Sequence, residues 1–209
     1  MLRLEIHPQT PQARHVKTIA NMLRKDALLL YPTDSGYAVA CSAASPKAIN
    51  KLYALKKPVK KAFMSILLPD ISKAAGYARI NNFAFQILKA HTPGPYTFIL
   101  PADPHIARKL DVNRLEIGVR ISPGVFIKAL FENFECPLLS TAAKIEESQA
   151  FTKPEELTPV FQNKVDIFAD MGEIPISPTN IIRLVDNEIE VIRGEFNLAK
   201  TTPLASACH

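Results

Sequence analysis

Apolar and polar positions along this chain follow two rhythms that alternate from one segment to the next. Leu2 to Ile6 keeps the two-residue period of a strand. Thr10 and Pro11 then read as an N-cap and first helical residue, opening a helix whose inner stripe is Val16, Ile19, Ala20 and Leu23. The run from Ala27 to Pro32 is too short and too uniformly apolar for a surface helix, and predicts a buried strand ending at a proline. A polar turn with Gly36 leads to strand character over 37–42, and Ser45 with Pro46 opens a helix carrying Ile49, Leu52 and Leu55 on one stripe. Further strands are predicted at 63–68, 96–100, 116–121, 137–141, 165–168, 179–185 and 188–193. Further helices are predicted after Asp70, from Asn81 to His91, and over 124–133 and 154–162. Strands and helices interleave without an internal repeat, so the expected fold class is α/β, a single domain around a mixed sheet. That domain is expected over residues 1–195, with 196–209 as a flexible tail because periodicity stops there.

A length of 209 residues matches one domain, and 47% hydrophobic with 22% charged residues excludes a disordered or fibrous chain. Lys and Arg exceed Asp and Glu by 25 to 20, a net +5 that suits either a polyanionic partner or a solvated basic surface. Arg3 and Glu5 interrupt the amino-terminal apolar residues, leaving neither a secretory core nor a membrane span, so a cytoplasmic location is expected. The three cysteines, Cys41, Cys136 and Cys208, form no CxxC pair, which argues against a disulfide scaffold or a cysteine-rich zinc site. Cys41 is expected to be a small buried hydrophobe. The seven glycines spell no GxGxxG; Gly118 and Gly124 are one residue too far apart for a P-loop and lack the following lysine. The five histidines give no HExxH, so no tightly bound protein metal site is expected.

Chemistry then has four places to sit. The turn YPTDSGY, 31–37, presents Thr33, Asp34 and Ser35 with free backbone donors, or simply satisfies its own backbone. Lys56, Lys57, Lys60 and Lys61 follow a helix, as a phosphate clamp or as cations favoured by the helix dipole. Arg120 lies between Val119 and Ile121 in an apolar strand, where it needs a carboxylate partner or an anionic ligand. Finally, Ser140, Thr141, Ser177, Thr179 and Arg193 set hydroxyls and a cation against hydrophobic strands, an anion-binding rim if those strand ends meet. No GxSxG accompanies Ser140, so no nucleophile is nominated.

Taken in order, YPTDSGY, PGPYTFIL, IGVRISP, LLST, SPTNIIRLV and VIRG resemble the YrdC/YciO family, over about residue 10 to residue 195. YPTDSGYAVAC, HTPGPYTFIL, and PLLST followed by Phe-Thr-x-Pro-Glu-Glu at 151–156 look most like its YciO branch. The resemblance implies a twisted mixed β-sheet flanked by helices, with a positively charged cavity on one side. It implies a threonylcarbamoyladenylate synthase, turning ATP, threonine and bicarbonate into threonylcarbamoyl-AMP and pyrophosphate for tRNA modification, with Mg²⁺ carried on the phosphates. By the same resemblance, Lys56, Ser140 and Arg193 face nucleotide phosphate, with Lys60 and Lys61 as auxiliary cations, while Thr33, Arg120 and Thr179 face the amino acid.

Two positions depart from the family pattern. Its KxR motif reads Lys56, Lys57, Pro58, and its SxN motif reads Ser140, Thr141, Ala142, removing a guanidinium and an amide. A lysine reaching in from 60 or 61 does not reproduce a bidentate guanidinium contact. The implied enzyme is therefore a weak one, and the alternative is a non-catalytic binder of double-stranded RNA, tRNA or nucleotide using the same cationic hollow.

Overall fold

The computed structural model describes residues 1–56, 64–109, 116–144 and 151–197. Its strands are β1 (Leu2–Glu5), β2 (Leu29–Thr33), β3 (Gly36–Ser42), β4 (Ser65–Leu67), β5 (Tyr96–Pro101), β6 (Glu116–Arg120), β7 (Leu138–Ala142), β8 (Ile167–Asp170), β9 (Asn180–Val185) and β10 (Glu188–Arg193). The helices are α1 (Ala13–Leu23), α2 (Pro46–Lys56), α3 (Ile71–Ala74), α4 (Asn82–His91), α5 (Pro104–Lys109), α6 (Val125–Asn133) and α7 (Pro154–Phe161). All the described strands join one mixed sheet in the order β1-β8-β2-β3-β7-β4-β6-β5-β9-β10. This is the α/β domain expected from the sequence. No described helix is long and apolar enough to cross a membrane.

Burial along the strands divides the sheet into two halves. β2, β3 and β8 are buried nearly throughout, because helices cover both of their faces. On one face Leu30, Val39, Cys41, Ile66, Phe98, Val119, Phe168 and Ile182 form a core with Ile49 and Leu52 of α2, Ile87 and Leu88 of α4, and Leu157 and Phe161 of α7. On the other, Leu29, Tyr31, Ala38, Ala40, Leu67 and Leu138 pack under Val16, Ile19 and Leu23 of α1 and Phe126 and Leu130 of α6. Strands β5, β6 and β9 instead alternate buried and half-buried residues, so among the described residues one of their faces lacks a helical cover. Ser65, Gly118, Thr97 and Arg120 lie on that barer face: Ser65 pairs with Gly118 and with Ser140, and Ile99 with Gly118.

Local signals explain most element ends. Asp70 and Asn81 accept from the N–H groups of Lys73 and Ala84, capping α3 and α4, and the Ser45 hydroxyl accepts from Ala48 at the start of α2. At α1 the expected cap is displaced: the helix begins at Ala13 with Gln12 as N-cap and no side-chain cap, because the Thr10 hydroxyl is engaged with His7 Nδ1 at 2.8 Å. Asp186 and Asn187, at φ 54° and 62°, form the tight two-residue turn joining β9 to β10. Cys41 is fully buried, as expected, and burial pushes its thiol up to about 12. The chain stays packed past the expected boundary at 195: Phe196 lies against His91 with ring centroids 4.6 Å apart, and the Asn197 carbonyl is 3.0 Å from His91 Nε2.

Candidate active site

β2 and β3 pair down to Thr33 and Gly36, so Asp34 and Ser35 are the two-residue tip of a hairpin. Gly36 sits at φ +113°, a conformation that only glycine adopts without strain. The Thr33 hydroxyl closes the tip, donating to the Gly36 carbonyl at 2.7 Å and accepting from the Ser35 N–H at 3.0 Å. Thr33 is thus occupied within the turn, and the side chain that the turn projects is Asp34.

Arg120, the last residue of β6, reaches that tip. Its Nη2 donates to Asp34 Oδ1 at 2.6 Å, and Nη1 and Nη2 each lie 3.2 Å from Ser35 Oγ. Ser122 donates to the same Asp34 oxygen at 2.9 Å. The side chains of Arg120 and Asp34 are only 12% and 20% exposed. Two atoms of this pair are buried without any hydrogen-bond partner among the described residues, Arg120 Nε and Asp34 Oδ2. Leaving a buried donor or acceptor unmade is costly, and such atoms commonly mark where a ligand or ion completes the site.

Beneath the pair lies a second contact, Tyr31 Oη to Ser140 Oγ at 2.6 Å. Burial raises the phenol's proton affinity; the Ser140 hydrogen bond and the Arg120 charge oppose that rise, and the Asp34 charge adds to it. Tyr31, Ser140, Asp34 and Arg120 therefore share one electrostatic neighbourhood. Arg193 belongs to it as well: its Nε donates to the Thr179 carbonyl and its Nη2 to the Thr179 hydroxyl, both at 2.9 Å. Its proton affinity falls through burial first and the nearby Arg120 charge second. Two guanidinium groups within reach of each other favour an anion between them.

Lys56 stands apart from this group. It is buried at the end of α2, and its ammonium donates to the carbonyls of Ala142 at 2.5 Å and Lys144 at 2.7 Å. Desolvation, then repulsion from Lys144, lowers its pKa to about 8. It thus meets the chain two residues beyond Ser140 on β7 and holds that strand end. Lys60 and Lys61 lie outside the described residues. Of the residues nominated from sequence, Arg120, Ser140, Thr179 and Arg193 gather with Thr33 nearby. Asp34, presented by the turn 31–37, proves to be the carboxylate partner that Arg120 needs, while Ser122 and the Tyr31 hydroxyl carry no signal in the sequence that marks them for this site.

A recess of about 570 Å³ lies elsewhere, at the carboxyl ends of β1 and β8, lined by Arg3, His7, Lys153, Glu155, Asp170 and Gly172 among others. Its Arg3 and Asp170 already pair with each other at 2.6 Å. No nominated residue lines it, and volume alone is weaker grounds for a site than unpaired buried atoms, so the Arg120 centre is the better candidate.

Comparison with known proteins bears on the family and the fold. The Sua5/YciO/YrdC family model, described as "Telomere recombination", matches residues 21–194. YciO of Escherichia coli (strain K12) is 32% identical over 191 residues, covering 90% of this chain and 92% of its own. The crystal structure of E. coli YciO superposes with a TM-score of 0.86 at 30% identity, covering 97% of this chain and 100% of that one. A protein of Methanocaldococcus jannaschii named "Putative threonylcarbamoyl-AMP synthase" is 31% identical over 182 residues, 85% of this chain and 86% of its own. P. abyssi Sua5, solved in complex with L-threonine, shares the fold at a TM-score of 0.84 and 20% identity, over 92% of this chain and 57% of that one. Fold and sequence agree: the chain belongs to the Sua5/YciO/YrdC family.

Proposed function

We propose that the protein is a slow threonylcarbamoyl-AMP synthase that serves tRNA N6-threonylcarbamoyladenosine modification. The observation that carries this reading is the Arg120–Asp34 pair at the edge of the uncovered sheet face, with one donor and one acceptor left unpaired. The name of the M. jannaschii relative and the L-threonine bound to P. abyssi Sua5 support it.

In the proposed reaction the threonine amine and bicarbonate give a carbamate and water. A carbamate oxygen then attacks the α-phosphorus of ATP, and pyrophosphate leaves. No protein nucleophile is required; the demand is for fixed donors around anionic groups and for close positioning of the two substrates. Arg120 takes the amino-acid carboxylate. Arg193, held by Thr179 and within the electrostatic reach of Arg120, serves the nucleotide phosphates, which bring Mg²⁺ with them. Ser140 and Lys56 line the β7 side, where Lys56 must exchange a backbone carbonyl for a phosphate oxygen. The guanidinium and amide missing at positions 58 and 142 remove one charge-assisted and one neutral hydrogen bond, a loss of roughly 2 to 5 kcal/mol in the transition state.

Pyrophosphate release from ATP, Mg²⁺, bicarbonate and threonine measures this activity directly. Slow release that requires threonine and disappears in Arg120→Ala is the expected result. Turnover indifferent to Arg120→Ala discards the site, and no release together with salt-sensitive retention of duplex RNA replaces the reading with an RNA-binding one.

A further inference from the structure

Among the described strands, the sheet has its two edges at β1 and β10. β10 carries a register shift between Val191 and Arg193, a bulge of the kind that bends an edge away from further pairing. β1 runs without such a shift along β8. Leu2 and Ile6 give their N–H groups to the carbonyls of Asp166 and Asp170, so the two-residue period turns the backbone groups of Arg3 and Glu5 outward. On that outer side His15 Nδ1 lies 3.0 Å from the Glu5 carbonyl, which keeps a second lone pair for another donor. Met1 and Leu2 are exposed apolar side chains at the same edge.

The side chains decide which strand fits there. Leu4 and Ile6 point into the core under α1, and Arg3 and Glu5 point to the opposite face, where both line the recess. Arg3 holds Asp170 through Nε and Nη2 and keeps Nη1 without a partner among the described residues. The Glu5 carboxylate has no partner among the described residues either. We propose that β1 is a self-association edge, pairing antiparallel with β1 of a second copy across a two-fold axis, so that one sheet runs through both molecules. A two-fold axis normal to a sheet sets residues of equal parity opposite each other, and the outward groups of this strand belong to Arg3 and Glu5. Arg3 opposite Arg3, or Glu5 opposite Glu5, sets like charges together. The remaining register sets Arg3 opposite Glu5 on both sides of the axis, Leu4 against Leu4 on it, and Leu2 against Ile6. Each Arg3–Glu5 pair then exchanges backbone hydrogen bonds in both directions, and the free Nη1 meets the free carboxylate of the other copy. Charge complementarity thus selects a second copy of this chain in one register.

So short an interface makes a weak dimer, with a dissociation constant on the order of 10 to 100 μM. Sedimentation velocity of the full chain from about 2 to 500 μM tests this, because mass action shifts wild type from monomer to dimer over that range. Glu5→Lys changes a carboxylate that the single copy leaves unpaired, and is expected to weaken association at least about tenfold by setting two cations opposite each other. Glu5→Pro removes an outward N–H, spares the ladder to β8, and is expected to abolish association. Wild type that stays monomeric at every concentration overturns the proposal, and so does a dimer that Glu5→Lys leaves unchanged; should Glu5→Pro fail to fold, Glu5→Lys decides. The register is read from Leu4→Cys, whose thiols meet on the axis within disulfide reach. Mild oxidation is expected to link its copies above the background of the native cysteines, and linking of Val191→Cys alone moves association to β10 and overturns the proposal.

Discussion

Tyr31 Oη and Ser140 Oγ meet at 2.6 Å in the buried interior, joining β2 to β7 across the intervening β3. Each hydroxyl is shut off from water, so each depends on the other. Tyr31→Phe is expected to strand the Ser140 hydroxyl and cost about 1 to 3 kcal/mol, read as a lower urea midpoint with unchanged slope. Combining it with Ser140→Ala removes both partners, and the double variant is expected to lose less than the two single losses combined.

Arg120 and Asp34 form a pair that is only slightly open to water. Breaking a pair from one side leaves a charge stranded, whereas removing both sides does not. Arg120→Ala is expected to destabilise by roughly 2 kcal/mol, discounted from the fully buried case for the residual exposure. A double-mutant cycle with Asp34→Ala that shows strict additivity contradicts the pairing.

Lys56 carries a pH signature. Its pKa is lowered to about 8 in the folded chain from an ordinary 10.5. Between those values the unfolded chain holds more of this proton than the folded one, so the contribution of Lys56 to stability rises with pH there. It is fully present above 10.5 and lost as pH falls through about 8. Denaturation of wild type and Lys56→Met from pH 7.5 to 10.5 is expected to show wild type gaining on the variant as pH increases. A constant difference across that range removes the desolvation account of Lys56.

Gly118 is the floor of the uncovered face. A Cβ built there meets Thr97 Cγ2 at 3.2 Å and the Met64 carbonyl and Ser65 Cβ at 3.3 Å. Gly118→Ala is expected to fold with a loss of about 1 kcal/mol, because Thr97 has to give way. Gly118→Val adds two methyl groups toward the site and is expected to reduce pyrophosphate release further than its Tm loss explains. Full turnover by a folded Gly118→Val chain moves the reaction off this face.

His91 ties down the chain after β10, with Nδ1 at 2.9 Å from the Ile87 carbonyl and Nε2 at 3.0 Å from that of Asn197. His91→Phe keeps a ring against Phe196 and Tyr96 and removes the two nitrogens that face these carbonyls, one of which carries the donating N–H. Faster proteolytic cleavage near Asn197, with the core intact, is expected; an unchanged cleavage pattern shows that the ring stacking alone suffices.

The sheet was legible because its signals are local. The uniform apolar run at Leu29–Tyr31 marks a strand covered on both sides, and the alternation through Glu116–Arg120 marks one covered on a single side. The cap of α1 was misplaced because Thr10 has two uses, and the choice of His7 depends on how the preceding loop folds. At the site, Arg120 was legible because a charge in an apolar strand demands an explanation. Its partner was not, since Asp34 is 86 positions away and only the hairpin tip brings it near. Lys56 likewise announces a cation but not its ligands: the carbonyls it holds come from Ala142 and Lys144, set by the pairing of β7 rather than by any neighbour in sequence.

The bond from Arg3 to Asp170 spans 167 positions, and among the described strands β1 pairs with β8 alone. During synthesis β1 thus has to wait for β8, far along the sequence, before it can pair. Until then its backbone donors and acceptors stay open to solvent or to a chaperone, which makes the amino-terminal segment a late and separable step of assembly.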